Sequence, residues 1–142
     1  MLYSHIFWAL LGMLGYSATT LLVKFAARTG LPSTVVVAIA TSIVTATCWL
    51  VVVARGQTFV IFQSLSTSGG VWSVAAGVAM AIAVTSLFRA LQLGPASVVV
   101  PVYGMFIVGG FVLGVIFLGE TLTPAKLVGV AAAVAGIYLI CS

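Results

Sequence analysis

An all-α transmembrane fold, a five-helix up-down bundle, is what this sequence predicts, and three observations predict it. Of its 142 residues 63% are hydrophobic and only 4% are charged, whereas about a quarter of a soluble domain is charged. The apolar residues fall into five runs, each close to the roughly 20 residues that a helix needs to cross the hydrocarbon core. Glycine and proline stand between those runs. One Asp or Glu and five Lys or Arg cannot build a water-facing surface for a chain of this length, so lipid has to be the solvent.

The first span is expected over residues 5–27. No Lys or Arg precedes its apolar run, so it lacks the basic region of a cleaved signal peptide and reads as a permanent span. Gly30 is a C-cap and Pro32 opens the next helix, expected over residues 33–54 and stopping at Arg55-Gly56. The third span is expected over 70–92. Gly94-Pro95 then makes a very short turn into the fourth, over 96–118. The fifth covers 124–141, with Thr123 as N-cap and Pro124 at the first helical position. The long connection is Arg55 to Gly69. Phe59, Phe62 and Leu65 recur in it at three-residue spacing, which suggests a short segment on the membrane surface; a plain loop is the alternative. The other connections are short, which makes neighbouring spans antiparallel. No internal repeat is evident, and residues 1–142 read as a single membrane domain.

Composition also excludes functions. A net charge of +4 spread over the chain gives no basic stripe for nucleic acid. His5 is the one histidine, so no histidine-based metal site is expected, and no cofactor motif is present. There is no set of nucleophile, base and orienting group, no phosphate-binding glycine loop and no carboxylate pair; enzymatic chemistry has no support. Cys48 and Cys141 sit among apolar residues and read as buried thiols.

An odd number of spans puts the termini on opposite sides of the membrane. On the N-terminal side, side A, fall Arg55, Lys126 and Glu120; on side B fall Lys24, Arg28 and Arg89. Two cations against three is almost no bias for the positive-inside rule to act on. Trp8, Trp49 and Trp72 all lie towards side A, as interfacial anchors.

The informative residues are those that are costly to place in lipid. Lys24 lies late in the first span, where its amine can snorkel. Tyr16, Thr20 and Lys24 also share a helix face, a polar stripe suited to substrate contact; both readings stand. Thr85, Arg89 and Gln92 repeat the pattern on the third span. If both stripes face inward they form a cationic vestibule; if outward, they anchor lipid phosphate. Pro101 cannot bond the carbonyl of Ser97 and should kink the fourth helix; the freed carbonyl and Tyr103 put polar atoms into that wall, as substrate contacts lining a midplane site, with a kink kept only for packing as the alternative. Gly110 and Gly114 form a GxxxG pair. Gly129, Ala133 and Gly136 form a small-residue face on the last helix, suited to internal packing or to a dimer seam. Glu120, the one acid, can cap the fifth helix through its dipole or pair with Lys126.

The segment ALQLGPASVVVPVYG from Ala90 and the closing FLGETLTPAKLVGVAAAVAGIYL, with Leu118-Gly119-Glu120 as its most recognisable triplet, resemble an EamA-like domain of the drug/metabolite transporter superfamily. Lys24, followed by Phe25-Ala26, also fits. The resemblance implies one half of a ten-helix inverted-repeat transporter, here in the single-copy form of small bacterial and archaeal members. It implies a multi-pass protein of a prokaryotic cell (inner) membrane. The leading expectation is a secondary transporter of a small anionic, zwitterionic or neutral metabolite, since the spans hold Lys24 and Arg89 and no acid. It would act by alternating access as a homodimer in antiparallel orientation, with a parallel dimer or a different partner protein as the alternatives. A flippase for a lipid-linked sugar or similar amphiphile, and a non-transporting subunit of a membrane complex, are the competing functions.

Overall fold

The computed structural model describes residues 4–141. The described residues form seven helices: α1 (Ser4–Arg28), α2 (Ser33–Ala54), α3 (Thr58–Ser64), α4 (Ser68–Leu93), α5 (Ala96–Gly104), α6 (Phe106–Leu118) and α7 (Pro124–Cys141). No strand occurs among the described residues. Among the described residues five stretches are long and apolar enough to cross a membrane: α1, α2, α4, α5 with α6, and α7. The protein is therefore all-α and multi-pass.

The punctuation acts where the sequence places it. Gly30 takes a left-handed φ of 83° and ends the turn after α1, with its N–H on the Ala27 carbonyl at 3.3 Å. Thr123 caps α7: its Oγ1 accepts from the Lys126 N–H at 3.3 Å, and Pro124 occupies the first helical position, where a missing N–H costs nothing.

The fourth span departs from the expected single kinked helix. Its first helix continues through Pro101 to Gly104, and the break falls at Met105. The lost proline bond concerns the Ser97 carbonyl, in the first turn of α5, where few bonds depend on it. The interruption instead follows Gly104, the residue with the least helical preference there. Met105 donates to the Val102 carbonyl at 3.1 Å, a tighter three-residue turn, before α6 begins.

The Arg55–Gly69 connection is not a plain loop, because α3 occupies seven of its residues. Phe59 and Phe62 stand 77% and 67% exposed on it. Gly70 explains why it stays in place. A Cβ on that buried glycine would collide with the Ser64 carbonyl and lie 2.7 Å from Leu65 Cα. The end of α3 thus crosses the first turn of α4 backbone against backbone, an approach open only to glycine.

The chain divides into two compact units, Met1–Gln92 and Leu93–Ser142. In the first, the buried side chains are Val23, Val37, Leu87, Phe88 and Leu91. They come from the last turns of α1, the first turns of α2 and the last turns of α4, so the packing gathers at the side B ends of these helices. At the opposite ends Phe7, Trp8, Trp49, Val71 and Trp72 are exposed, as lipid-facing and interfacial residues should be. In the second unit α7 packs on α5 and α6. Cys48 and Cys141 are both exposed, against the expectation of burial. Their apolar sequence neighbours Trp49, Leu50, Leu139 and Ile140 are exposed too, and an apolar setting in a membrane protein does not mean a protein interior.

Candidate functional site

In the first unit, the start of α2 and the last turns of α4 enclose a groove of about 470 Å³, lined by Ser33, Thr34, Val37, Ala38, Thr85, Ser86 and Arg89. Each element reaches it for a local reason. Pro32 fixes the extended backbone that begins α2 (φ −58°, ψ 140°), and no side chain caps that start. The Val35 and Val36 N–H groups both turn to the Pro32 carbonyl, at 3.0 and 3.2 Å. The earliest N–H groups and the positive end of the α2 dipole therefore face outward beside Ser33 and Thr34. On α4, Thr85 and Arg89 are four residues apart and share a face. Thr85 donates its hydroxyl proton to the Ala81 carbonyl at 2.7 Å, which leaves its oxygen lone pairs as acceptors. Thr34, Ala38, Thr85 and Arg89 are exposed, so the groove is open along its flank.

The groove's electrostatics follow from what it contains. Arg89 is held by Gln92, whose Oε1 accepts from Arg89 Nη1 at 3.0 Å. Gln92 in turn donates through Nε2 to the Leu31 carbonyl at 3.3 Å. Arg89 is thus held by a neutral partner. No Asp or Glu occurs anywhere in Met1–Gln92. A guanidinium, four hydroxyls and a helix start make a surface that attracts oxyanions and repels cations.

The other stripe has a different fate. Lys24 is half-buried and donates to the Leu91 carbonyl at 2.7 Å, in the last turn of α4. Thr20 bonds the Ser17 carbonyl of its own helix at 2.7 Å, and Tyr16 is exposed higher on α1; neither lines the groove. Tyr103 belongs to the second unit, where its ring meets Phe106 edge-on at 5.9 Å.

The second unit closes on its acid. Gly119, at a φ of 64°, ends α6 in a left-handed turn. Its N–H and that of Glu120 converge on the Gly114 carbonyl, the latter at 3.3 Å. The Glu120 carboxyl carbon then lies 3.4 Å from where a Cβ of buried Gly114 would be, and its Oε2 lies 3.8 Å from Lys126 Nζ. Lys126 also donates to the Thr121 carbonyl at 3.2 Å. So the second small position of the GxxxG pair is taken by the chain's own carboxylate. By contrast, nothing approaches within 4 Å of a Cβ built on Gly110, Gly129 or Gly136; Ala133, between the latter two, is half-buried. No cluster of metal-ligating side chains occurs among the described residues.

The model of the EamA-like transporter family matches residues 3–142. The chain belongs to that family. No curated protein and no solved structure gives a match. As an EamA-like protein with five membrane-length helices, it is a multi-pass membrane protein of the drug/metabolite transporter type, in a family of transporters and not of enzymes. Ser33, Thr34 and Ser86 are the polar groove residues that sequence reasoning passes over. Ser33 and Thr34 follow Pro32 at a helix start, which is the visible signal; nothing in the sequence says that this start faces Arg89.

Proposed function

We propose that this EamA-like chain is a secondary transporter of a small metabolite that is anionic, or zwitterionic or neutral with an oxyanionic or hydroxyl group to present. Arg89, Ser33, Thr34, Thr85 and Ser86 form its polar contact surface. The observation that carries the proposal is the groove itself: a cation and four hydroxyls from the start of α2 and the last turns of α4, in a unit without any acid. A lipophilic cation would meet like charge there with no counter-charge, which a low dielectric makes costly. Flux of small carboxylates, sugar phosphates and tetraphenylphosphonium into proteoliposomes tests this. Anion flux that falls at least tenfold in Arg89→Ala, with protein yield unchanged, is expected. Strong tetraphenylphosphonium transport, or full anion flux in Arg89→Ala, refutes it.

The working unit in this proposal is an antiparallel homodimer that alternates access by exchanging equivalent conformations. The near balance of Lys and Arg between the two sides supports it, because it imposes little orientation. Gly129 and Gly136 of α7, which have open space where a Cβ would stand, support with Ala133 a close helix seam. A single cysteine at the C-terminus of a Cys48→Ala, Cys141→Ala variant should be labelled from each side of intact cells in about half of the molecules; labelling from one side alone excludes the antiparallel form.

The open flank of the groove at Thr34 and Ala38 favours a second reading, a flippase whose amphiphile keeps its tail in lipid while its anionic headgroup meets Arg89. Dithionite quenching of a fluorescent anionic lipid in proteoliposomes decides it: quenching beyond the outer-leaflet half supports the flippase, and water-soluble anion flux without it supports the transporter.

A further inference from the structure

We infer that Lys24 is a positioning residue that latches the side B end of α1 to α4, its ammonium serving as the hydrogen-bond donor that the Leu91 carbonyl lacks within its own helix. The last carbonyls of any helix have no intrahelical partner. In a helix that continued, Leu91 would accept from the N–H of residue 95. Residue 95 is proline, which has no N–H to give. Leu91 is 0% exposed, so water does not reach the residue to serve instead. In the hydrocarbon region an unsatisfied carbonyl is strongly disfavoured. Lys24, 67 residues away in sequence, fills the gap at 2.7 Å. The pairing suits both groups. The ammonium meets the negative end of the α4 dipole, where a cation is stabilised, and gains a strong acceptor.

The latch sits over the packed end of the unit. Val23, beside Lys24, and Leu87, Phe88 and Leu91 on α4 are buried together with Val37 of α2. Gln92 extends the polar tie to the α1–α2 turn through the Leu31 carbonyl. At the other end of these helices no comparable burial occurs among the described residues except Gly70, under α3. Opening side B therefore means withdrawing the Lys24 ammonium from the Leu91 carbonyl and exposing Leu87 and Phe88. The role is distinct from substrate contact: Lys24 does not line the groove, and it acts through the position of α4, which carries Arg89.

The test needs no substrate, so its outcome is separate from that of the transport reading. Leu87→Cys, in a Cys48→Ala, Cys141→Ala background, places one thiol in the packed end. Its rate of reaction with a small water-soluble methanethiosulfonate is measured in proteoliposomes; rate, not extent, is read because protomers face both ways in the proposed dimer. With Lys24 present the thiol should react slowly. Lys24→Met keeps length and removes the donor, and should speed the reaction at least tenfold. Lys24→Arg keeps donor and charge, and should restore the slow rate. Equal rates in the Lys24 and Lys24→Met proteins, or a rate in Lys24→Arg as fast as in Lys24→Met, overturn the latch. If Lys24→Met gives no folded protein, Lys24→Gln, which keeps a neutral donor on a shorter arm, is compared with Lys24→Arg: a faster rate in Gln supports the latch and equal rates overturn it. Loss of folding in Arg as well overturns it, because that variant preserves the bond.

Discussion

The two units each hold one lysine on a helix-end or turn carbonyl and one buried glycine against a neighbour, but what those residues meet differs. In Met1–Gln92, Lys24 meets the Leu91 backbone across 67 residues, and Gly70 meets the backbone of Ser64 and Leu65. In Leu93–Ser142, Lys126 and Gly114 both meet the same movable side chain, that of Glu120, and Lys126 reaches only five residues back for a carbonyl. A contact with backbone cannot adjust without moving a helix; a contact with an exposed carboxylate adjusts by rotating a side chain. The first unit should therefore be sensitive at these positions and the second tolerant.

The largest effect is expected at Gly70. Gly70→Ala forces two backbones apart, and overpacking of that kind costs about 1–3 kcal/mol or more. Here the neighbour is backbone at 2.7 Å, which puts the variant at the top of that range. Unfolding in mixed micelles should show it, with α3 released: a spin label at Phe62 should become more mobile. An unchanged midpoint and label spectrum would remove backbone rigidity from the comparison.

Next comes Lys24→Met. Leaving a buried carbonyl without a donor costs about 1–3 kcal/mol. The cost of inserting a lysine is common to the folded protein and the separately inserted helices, so it does not offset this loss. A destabilisation measured by steric trapping, recovered in Lys24→Arg, is the expected outcome; a stability gain in Lys24→Met would show that the bond to Leu91 does not hold the fold.

These two sites differ in how far the sequence shows them. The spans are legible because lipid imposes a length and an apolarity that soluble folds do not share, and Gly30, Thr123 and Pro124 act at once on the backbone beside them. The Leu118-Gly119-Glu120 triplet is legible for the same reason: turn, carboxylate and Lys126 lie within a few residues. The Lys24 bond needs the position of a helix 67 residues away. Its one local sign is Pro95, which leaves Leu91 without a partner but does not name the donor. The Arg89 stripe is visible from its spacing, yet that Ser33 and Thr34 complete a groove with it depends on how α2 meets α4. The thiols mislead because an apolar sequence neighbourhood looks the same whether it faces lipid or protein. The break at Met105 rather than beside Pro101 reflects where a helix can least spare its bonds, which a proline rule alone does not weigh.

In the second unit, Gly114→Ala should be nearly neutral. The added methyl gains about 1 kcal/mol of helix propensity and meets the Glu120 carboxyl carbon at 3.4 Å, a flexible neighbour that can give. Thermal unfolding in detergent should shift by no more than a few degrees. A loss like that expected for Gly70→Ala would show that the Glu120 turn is rigid after all.

The smallest effect is expected for the ion pair itself. Glu120 and Lys126 lie 3.8 Å apart with side chains about half exposed, 54% and 44%, and exposed pairs contribute about 0–1 kcal/mol. Both groups also keep other partners: Lys126 donates to the Thr121 carbonyl, and Glu120 packs over Gly114. A double-mutant cycle of Glu120→Gln and Lys126→Met should give a coupling energy below about 1 kcal/mol that shrinks further at high salt, as screening requires. The cycle also separates local capping from a cross-protomer role. In an antiparallel dimer Glu120 shares a membrane side with Lys24, Arg28 and Arg89 of the other copy. If Glu120 pairs there, Glu120→Gln should weaken the dimer while Lys126→Met does not, and the coupling between the two should vanish. Equal, small losses in both variants with the dimer intact would keep Glu120 a local cap, and the comparison of a rigid first unit with a tolerant second unit would stand.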